Sequence, residues 1–402
     1  MDIRHGIRPN LLQVALQLVQ VFFVGATVGM TRTVIPVLAE SDFGLARGSF
    51  VALASFVVVF GLVKALLNLF AGRLSDLWGR RRVLLAGWVA ALPVPFLILY
   101  GPGWGWIVAA TLFLGVNQGL CWSMALNSKL DLARADQSGL VNGLDEFAGY
   151  AGVALAGVGS AWLAERLGAR EGLFLFGLAV VGAALVLGLC CLRETRPWAL
   201  AGQREETGAP PPLGRLFWPA TLHDPRLRAV HQAGLVEKFT DAAVWLLFPI
   251  FFVAHGASLV EAGGLVAVYG LVWGALQLLT GPLSDRIGRR GLIVGGMWLC
   301  GAGVMAVGLT RAPALWAVEA AAIGAGMAML YPTLGAAVAD LAEPARRASV
   351  LGIYRFWRDL GYALGALALG LAAGGGGGLG APFYLVGLAM LLSGGYVLRK
   401  LG

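Results

Sequence analysis

Residues 72–82 read GRLSDLWGRRR, and residues 281–290 read GPLSDRIGRR. The two stretches lie 209 positions apart, and each sits between long apolar runs. The same displacement carries Asp131-Leu132-Ala133 onto Asp340-Leu341-Ala342 and Trp122 onto Tyr331. A displacement of 212 carries Gly149-Tyr150 onto Gly361-Tyr362. Matches at nearly one spacing describe a chain built as two related halves.

Outward from these stretches the chain is apolar. Of its 402 residues 58% are hydrophobic and 13% charged, against about 25% charged in a soluble domain. Lipid is the solvent that accommodates such a chain. Apolar runs predict twelve spans, at 11–38, 49–70, 83–100, 105–128, 138–163, 172–192, 230–254, 261–280, 291–310, 314–338, 348–373 and 382–398. Each approaches the roughly 20 residues that cross a bilayer. The expectation is an all-α membrane protein, two pseudo-symmetric six-helix bundles at 1–192 and 230–402 joined by a loop at 193–229. That loop is charged, holds the Pro210–Pro212 run and predicts a short surface helix at Leu213–Trp218. The Gly374–Gly378 run marks a helix end.

With both ends in the cytoplasm, 21 of the 30 Lys and Arg fall on the cytoplasmic side. Four (Arg47, Arg166, Arg170, Arg311) fall opposite and five lie within spans. This asymmetry orients the chain in a cytoplasmic membrane. It also accounts for the net charge of +8 without a nucleic-acid partner. The N-terminal segment reads as a cytoplasmic tail before an uncleaved first span. Trp104 and Trp106 read as interfacial anchors. Cys121, Cys190, Cys191 and Cys300 lie in apolar runs without metal-ligand spacing and read as packing residues.

The loop GRLSDLWGRRR resembles the signature loop of the major facilitator superfamily, and GPLSDRIGRR is similar to it in the second half. The resemblance implies a twelve-helix transporter whose halves rock about a central site. It also implies that the loop latches the halves in the outward-facing state, a role for Gly72, Asp76, Gly79, Arg80 and Arg81, with Asp285 and Arg289 in the second copy. The glycines are expected to permit turns and close approach. In the family the second and eleventh helices pack together, as do the fifth and eighth, which would let Lys64 meet Asp359. Two departures loosen the match to the family's proton-coupled drug exporters. Gly115 stands where those carry an Arg in the fourth helix, and the fifth span has no Gly-Pro step.

A charge at the bilayer centre costs at least about 2.5–3.5 kcal/mol, so such residues are paired, wet or functional. The spans hold Arg32, Lys64, Lys238, Arg355 and Arg358 against Asp145, Glu146, Glu237, Asp241 and Asp359. Asn142, Glu146 and Tyr150 share one face of the fifth span, and the 212 displacement maps them onto Tyr354, Arg358 and Tyr362. Glu237 and Asp241 share a face of the seventh, where repulsion favours a proton on one of them and Lys238 opposes it. Asp241 is the first proton-coupling candidate and Glu146 the second, with Glu237 and Asp145 behind; Glu237 also reads as a solvated helix end. Arg32 reads as snorkelling to the outer headgroups or as attracting an anion. Asn117, Gln118, Trp122 and Tyr331 are candidates for the cavity wall.

The histidines (5, 223, 231, 255) are scattered, and no H-E-x-x-H, G-x-S-x-G or ATP-binding loop occurs, which argues against an enzyme or an ATP-driven pump. No cofactor or metal is called for. The expected function is secondary transport of a small molecule by a monomer, proton-coupled, with efflux the favoured direction. The alternative is an uptake symporter or facilitator for an anionic metabolite, suggested by Arg32, Lys64 and Arg358.

Overall fold

Apolar chain in lipid has to satisfy its backbone internally, and here it does so in helices. The computed structural model describes residues 3–46, 48–202, 213–343 and 346–401, and no strand occurs among them. Arg47, Arg204 and the Pro210–Pro212 run lie outside the described residues.

The first half comprises α1 (Leu11–Val37), α2 (Phe50–Trp78), α3 (Arg80–Ala91), α4 (Pro93–Tyr100), α5 (Trp104–Leu132), α6 (Ser138–Leu167) and α7 (Ala169–Cys190). Short helices α8 (Arg196–Gly202) and α9 (Leu213–Trp218) follow, the second at the predicted place. The second half comprises α10 (Pro225–Leu246), α11 (Phe248–Ala254), α12 (Leu259–Ile287), α13 (Arg289–Leu309), α14 (Pro313–Leu341), α15 (Arg347–Ala372) and α16 (Ala381–Lys400). Among the described residues, ten helical stretches are long and apolar enough to cross a membrane. The other two long stretches, α10 with α11 and α15, carry most of the intramembrane charge.

Several predicted spans change shape. The third breaks into α3 and α4 at Pro93, and the seventh into α10 and α11 ahead of Pro249, because proline offers no N–H to the helix ladder. The helices flanking the duplicated loops run past the apolar runs, since α2 and α12 continue through Ser75-Asp76 and Ser284-Asp285. Gly79 and Gly288 then turn the chain at φ 90° and 89°, a conformation glycine supplies without a Cβ penalty. Gly72 does not fit the expected role: it lies inside α2 with open space where a Cβ would be.

Small residues bring helices close. A Cβ on Gly152 of α6 would lie 2.1 Å from the Phe22 carbonyl oxygen of α1, and one on Gly361 of α15 would lie 2.1 Å from that of Leu235 on α10. Between the halves α2 packs on α15 and α6 on α12, the pairs the resemblance implies. A Cβ on Gly61 would stand 2.7 Å from the Ala363 nitrogen.

Three smaller expectations are corrected. Cys121 and Cys300 are buried, but Cys190 and Cys191 are exposed at the end of α7. Trp104 is tied inward, its indole N–H donating to the Ala52 carbonyl at 2.8 Å, while Trp106 is exposed. Lys129, counted on the cytoplasmic side just beyond the span predicted at 105–128, is fully buried in the last turns of α5.

Candidate functional site

Where the halves meet they enclose a cavity of about 960 Å³. Its first-half wall includes Lys64 of α2, Trp122 of α5 and Glu146 of α6; its second-half wall includes Lys238 of α10, Tyr331 of α14 and Arg358 of α15. The cavity runs from Arg32 and Phe60 at its closed end to Asp136 and Asp285 on the side of the duplicated loops. The closed end is sealed by aromatic rings, with Phe60 4.8 Å from Trp245 and 5.7 Å from Tyr362.

An ion pair between the halves completes that seal. Arg32 Nη1 donates to Asp241 Oδ1 at 2.8 Å and Nη2 to Oδ2 at 3.3 Å. The Tyr269 hydroxyl donates to Oδ1 at 3.3 Å, the Tyr362 hydroxyl donates to Oδ2, and Lys238 Nζ stands 3.6 Å away. Arg32 is 3% exposed and Asp241 0%, so Arg32 does not snorkel. The fork geometry of guanidinium on carboxylate is the reason it turns inward: two parallel charge-assisted bonds replace the hydration it gives up. Arg32 and Asp241 are themselves 209 positions apart, so the pair joins equivalent points of the two repeats. That spacing is itself a signal in the sequence.

A second cluster surrounds Asp359. Arg358 Nε lies 3.3 Å from its Oδ1 and Lys64 Nζ 3.9 Å, the contact the resemblance implies, while Asn68 donates to Oδ2. Asn68 in turn accepts from the Ser123 hydroxyl at 3.2 Å. Asn68 was missed, although its repeat mate is the polar Gln277, also on the cavity wall.

The remaining acids differ from one another. Glu146 lines the cavity; one oxygen accepts from the Trp122 indole at 3.3 Å and the other is buried without a hydrogen-bond partner. Glu237 is not a solvated helix end: it is fully buried behind the wall, 3.5 Å from Lys238 Nζ, with neither oxygen hydrogen-bonded. Asp145 points away from the cavity and pairs with Lys129 at 2.6 Å. Lys129 escaped detection because its span was ended one residue short of it.

Aromatic faces crowd the cations. Lys64 Nζ lies 5.7 Å from the Trp122 ring and 5.3 Å from that of Tyr362. Lys238 Nζ lies 4.8 Å from Trp273, 5.1 Å from Tyr331 and 5.2 Å from Tyr362, and Arg358 sits 4.6 Å from Tyr331. Tyr150, Tyr354 and Arg355 also line the cavity. Asn142 lines its mouth, with its amide donating to the Ser138 carbonyl at 2.8 Å. Gln118 reaches the wall but spends its amide on the Val24 carbonyl at 2.7 Å. Asn117 is not on the wall: it is sealed inside the first half, donating to the Gly87 carbonyl at 3.2 Å.

The duplicated loops form matching triads. Arg80 reaches Asp76 at 3.1 Å and Asp131 at 2.9 Å; Arg289 reaches Asp285 at 2.6 Å and Asp340 at 3.0 Å. Both triads close within their own half. Arg81 donates to the Leu189 carbonyl at 2.6 Å and Arg290 to that of Leu398 at 2.6 Å, each covering a helix C-terminus. Glu194, which no motif flagged, accepts from the backbone N–H of Arg80 at 2.9 Å and of Arg81 at 3.1 Å and so caps α3.

Comparison with known proteins agrees with this architecture. The family model of the Major Facilitator Superfamily matches residues 18–252 and again 230–401. An uncharacterized MFS-type transporter of Burkholderia mallei is 26% identical over 374 residues, covering 89% of this chain and 86% of that protein. One of Salmonella typhimurium is 22% identical over 310 residues, covering 73% and 72%. The inner membrane transport protein YajR of Escherichia coli is 27% identical over 165 residues, covering 40% and 36%.

Proposed function

We propose, from the premise that this chain belongs to the Major Facilitator Superfamily of membrane transporters, that it moves a small molecule by alternating access and couples that movement to protons. The halves 1–192 and 230–402 rock as bodies about the segment 193–229. The observation that carries this reading is the cavity between them, sealed at the Arg32–Asp241 end and open at the duplicated loops. In this state each loop triad is satisfied within its own half, and the latch between halves is released. Closing the loop side would bring Asp76 and Asp285 to the opposing half, while the Arg32–Asp241 pair parts. The duplicated loops and both chain ends face the cytoplasm of the inner membrane, in line with the basic residues on that side.

Glu146 is the coupling acid in this reading. A carrier must be reachable from the cavity and free to exchange a proton, and Glu146 lines the cavity with one oxygen unpartnered. Asp241, the first candidate from sequence, is committed to Arg32 and two tyrosine hydroxyls. Protonating it would dismantle the seal. Competition between cargo and proton for Glu146 would give antiport and export; joint occupancy would give cotransport.

Spin-label pairs test the cycle on a background with Cys190 and Cys191 replaced by Ser. Labels at Asp42 and Arg311 report the sealed side, and labels at Arg134 and Arg286 the loop side. Two exchanging populations are expected, with opposite distance changes at the two pairs. Acidification from about pH 8 to about pH 5 should shift them in the wild type and not in Glu146→Gln. A single population under all conditions removes alternating access. A wild-type pH response in Glu146→Gln removes Glu146. For orientation, His223→Cys is expected to label from the cytoplasm and Ser258→Cys from outside; labelling from one side overturns the topology.

A further inference from the structure

We infer that the cavity takes an organic anion with one negative head group and a planar aromatic body, and that Lys64, Lys238 and Arg358 hold the head. The claim that this ligand is cargo rests on the transport reading above; the claim that it binds does not.

The charges around the cavity are the first support. Apart from the separate Lys129–Asp145 pair and the Arg134–Asp136 and Arg289–Asp285 pairs at its mouth, the cavity is lined by the cations Arg32, Lys64, Lys238, Arg355 and Arg358. Against them stand the acids Glu146, Glu237, Asp241 and Asp359. With every group ionised one positive charge is left over, and a proton on Glu146 makes it two, so an anion lowers the excess in either state.

Asp241 accepts from Arg32, Tyr269 and Tyr362, and Asp359 from Arg358 and Asn68, so neither offers a vacant oxygen to a cationic cargo. The vacant carboxylate oxygen on the wall belongs to Glu146, which takes the proton in the transport reading, while Glu237 lies behind the wall. The ammonium groups are looser. Lys64 stands 3.9 Å from its carboxylate, and Lys238 stands 3.5 Å and 3.6 Å from its two. A well-made bond between such ions is about 2.7–2.9 Å long. An anion entering the cavity finds cations already desolvated and incompletely paired, so binding gains contacts without a fresh burial cost.

The walls supply the rest of the specificity. Trp122, Tyr331 and Tyr362 on the wall face the same cations, and Tyr150, also on the wall, lies 3.8 Å ring to ring from Trp273 behind it. A planar aromatic body matches these faces at the separations aromatic pairs prefer. Two further buried polar atoms on the wall, the Tyr354 hydroxyl and Gln277 Nε2, have no hydrogen-bond partner, and a buried polar group left unpaired is costly. A polar substituent on the ligand would satisfy them. An anion in this space repels an ionised Glu146, so cargo and proton bind together. That selects cotransport over antiport.

Naphthalene-2-sulfonate is a suitable probe, because its charge does not titrate and it crosses bilayers slowly. Its controls are naphthalene-2-sulfonamide (neutral), 2-naphthylmethylammonium (cationic) and methanesulfonate (no ring). Calorimetric titration of the purified protein in lipid nanodiscs is expected to show the sulfonate binding at least about tenfold more tightly than any control. Lys64→Gln, Lys238→Gln and Arg358→Gln should each weaken it about tenfold, and Lys64→Arg and Lys238→Arg should restore it to within about threefold. Restoration by Arg separates a lost charge from a misfolded variant. Equal binding of the sulfonamide, preference for the ammonium probe, wild-type affinity in the Gln variants, or no sulfonate binding up to about 10 mM overturns the inference. Flux of the same probe into proteoliposomes, read with an internal pH dye, tests the transport reading separately. Binding without flux would leave the site standing and remove the cargo role.

Discussion

At the duplicated loops the two halves carry the same side chains: Asp76, Arg80 and Asp131 recur as Asp285, Arg289 and Asp340, with the same connections. At the cavity, equivalent positions carry different or opposite chemistry. Arg32 corresponds to Asp241, Lys64 to Trp273, and Glu146 to Arg358. The difference follows from where equivalent residues stand. Loop residues keep to their own half, so duplication costs nothing. Arg32 faces its own equivalent across the interface, and identical charges at that point would repel in a medium of low dielectric. Opposite charges at Arg32 and Asp241 turn that repulsion into a seal. The repeat thus builds the frame, and its violations build the site.

The sharpest way to break this comparison is at the seal. Arg32→Leu strands Asp241 in the interior, and losing one partner of a buried pair costs about 3–5 kcal/mol. The apparent Tm in detergent should fall steeply, and the charge swap Arg32→Asp with Asp241→Arg should recover most of it. A single variant as stable as the wild type would show that the pair is not holding the halves together.

Packing between helices gives the next effect. Gly361→Ala drives a Cβ against the α10 backbone, and overpacking of this kind costs about 1–3 kcal/mol. Gly72→Ala meets nothing, and with the better helix propensity of Ala it should be neutral or stabilising by up to about 1 kcal/mol in this state. Any latch role of Gly72 would then show as slower exchange between states with Tm unchanged.

The smallest effects belong to the loops. Asp76 and Asp285 side chains are 72% and 66% exposed, so screening by water limits each Arg pair to about 0.2–1 kcal/mol. Asp76→Asn and Asp285→Asn should lower Tm by the same small amount, and 0.5 M salt, well above the roughly 0.15 M at which a Debye length is already about 8 Å, should erase the difference. Unequal losses would mean that the triads are not equivalent in strength.

How legible the molecule was depends on the kind of signal. Gly79 and Gly288 were readable because a turn at positive φ needs glycine, and the short helix at Leu213–Trp218 was readable between the proline run and Pro219. Lys64 with Asp359 came from a resemblance that supplied helix neighbours, which composition does not contain. Glu194 had no signal, since a cap from a distant turn has no spacing rule. Arg32 with Asp241 had one, the 209 displacement, which isolated charges share with the motifs.

The sequence by itself determined the helical class, the membrane as solvent, the duplication and the side on which basic residues gather. All of these rest on local runs or on comparison of one stretch with another, and need no knowledge of what lies across a helix. Only the tertiary structure decided which charges meet. Each residue turns a helix by about 100°, so neighbours such as Asn117 and Gln118, or Asp145 and Glu146, point to different places. One of each pair reaches the cavity and the other is sealed in the first half. Which one it is depends on how each helix is rotated against its neighbours, and that is set by small contacts such as Gly152 on Phe22 and Gly361 on Leu235.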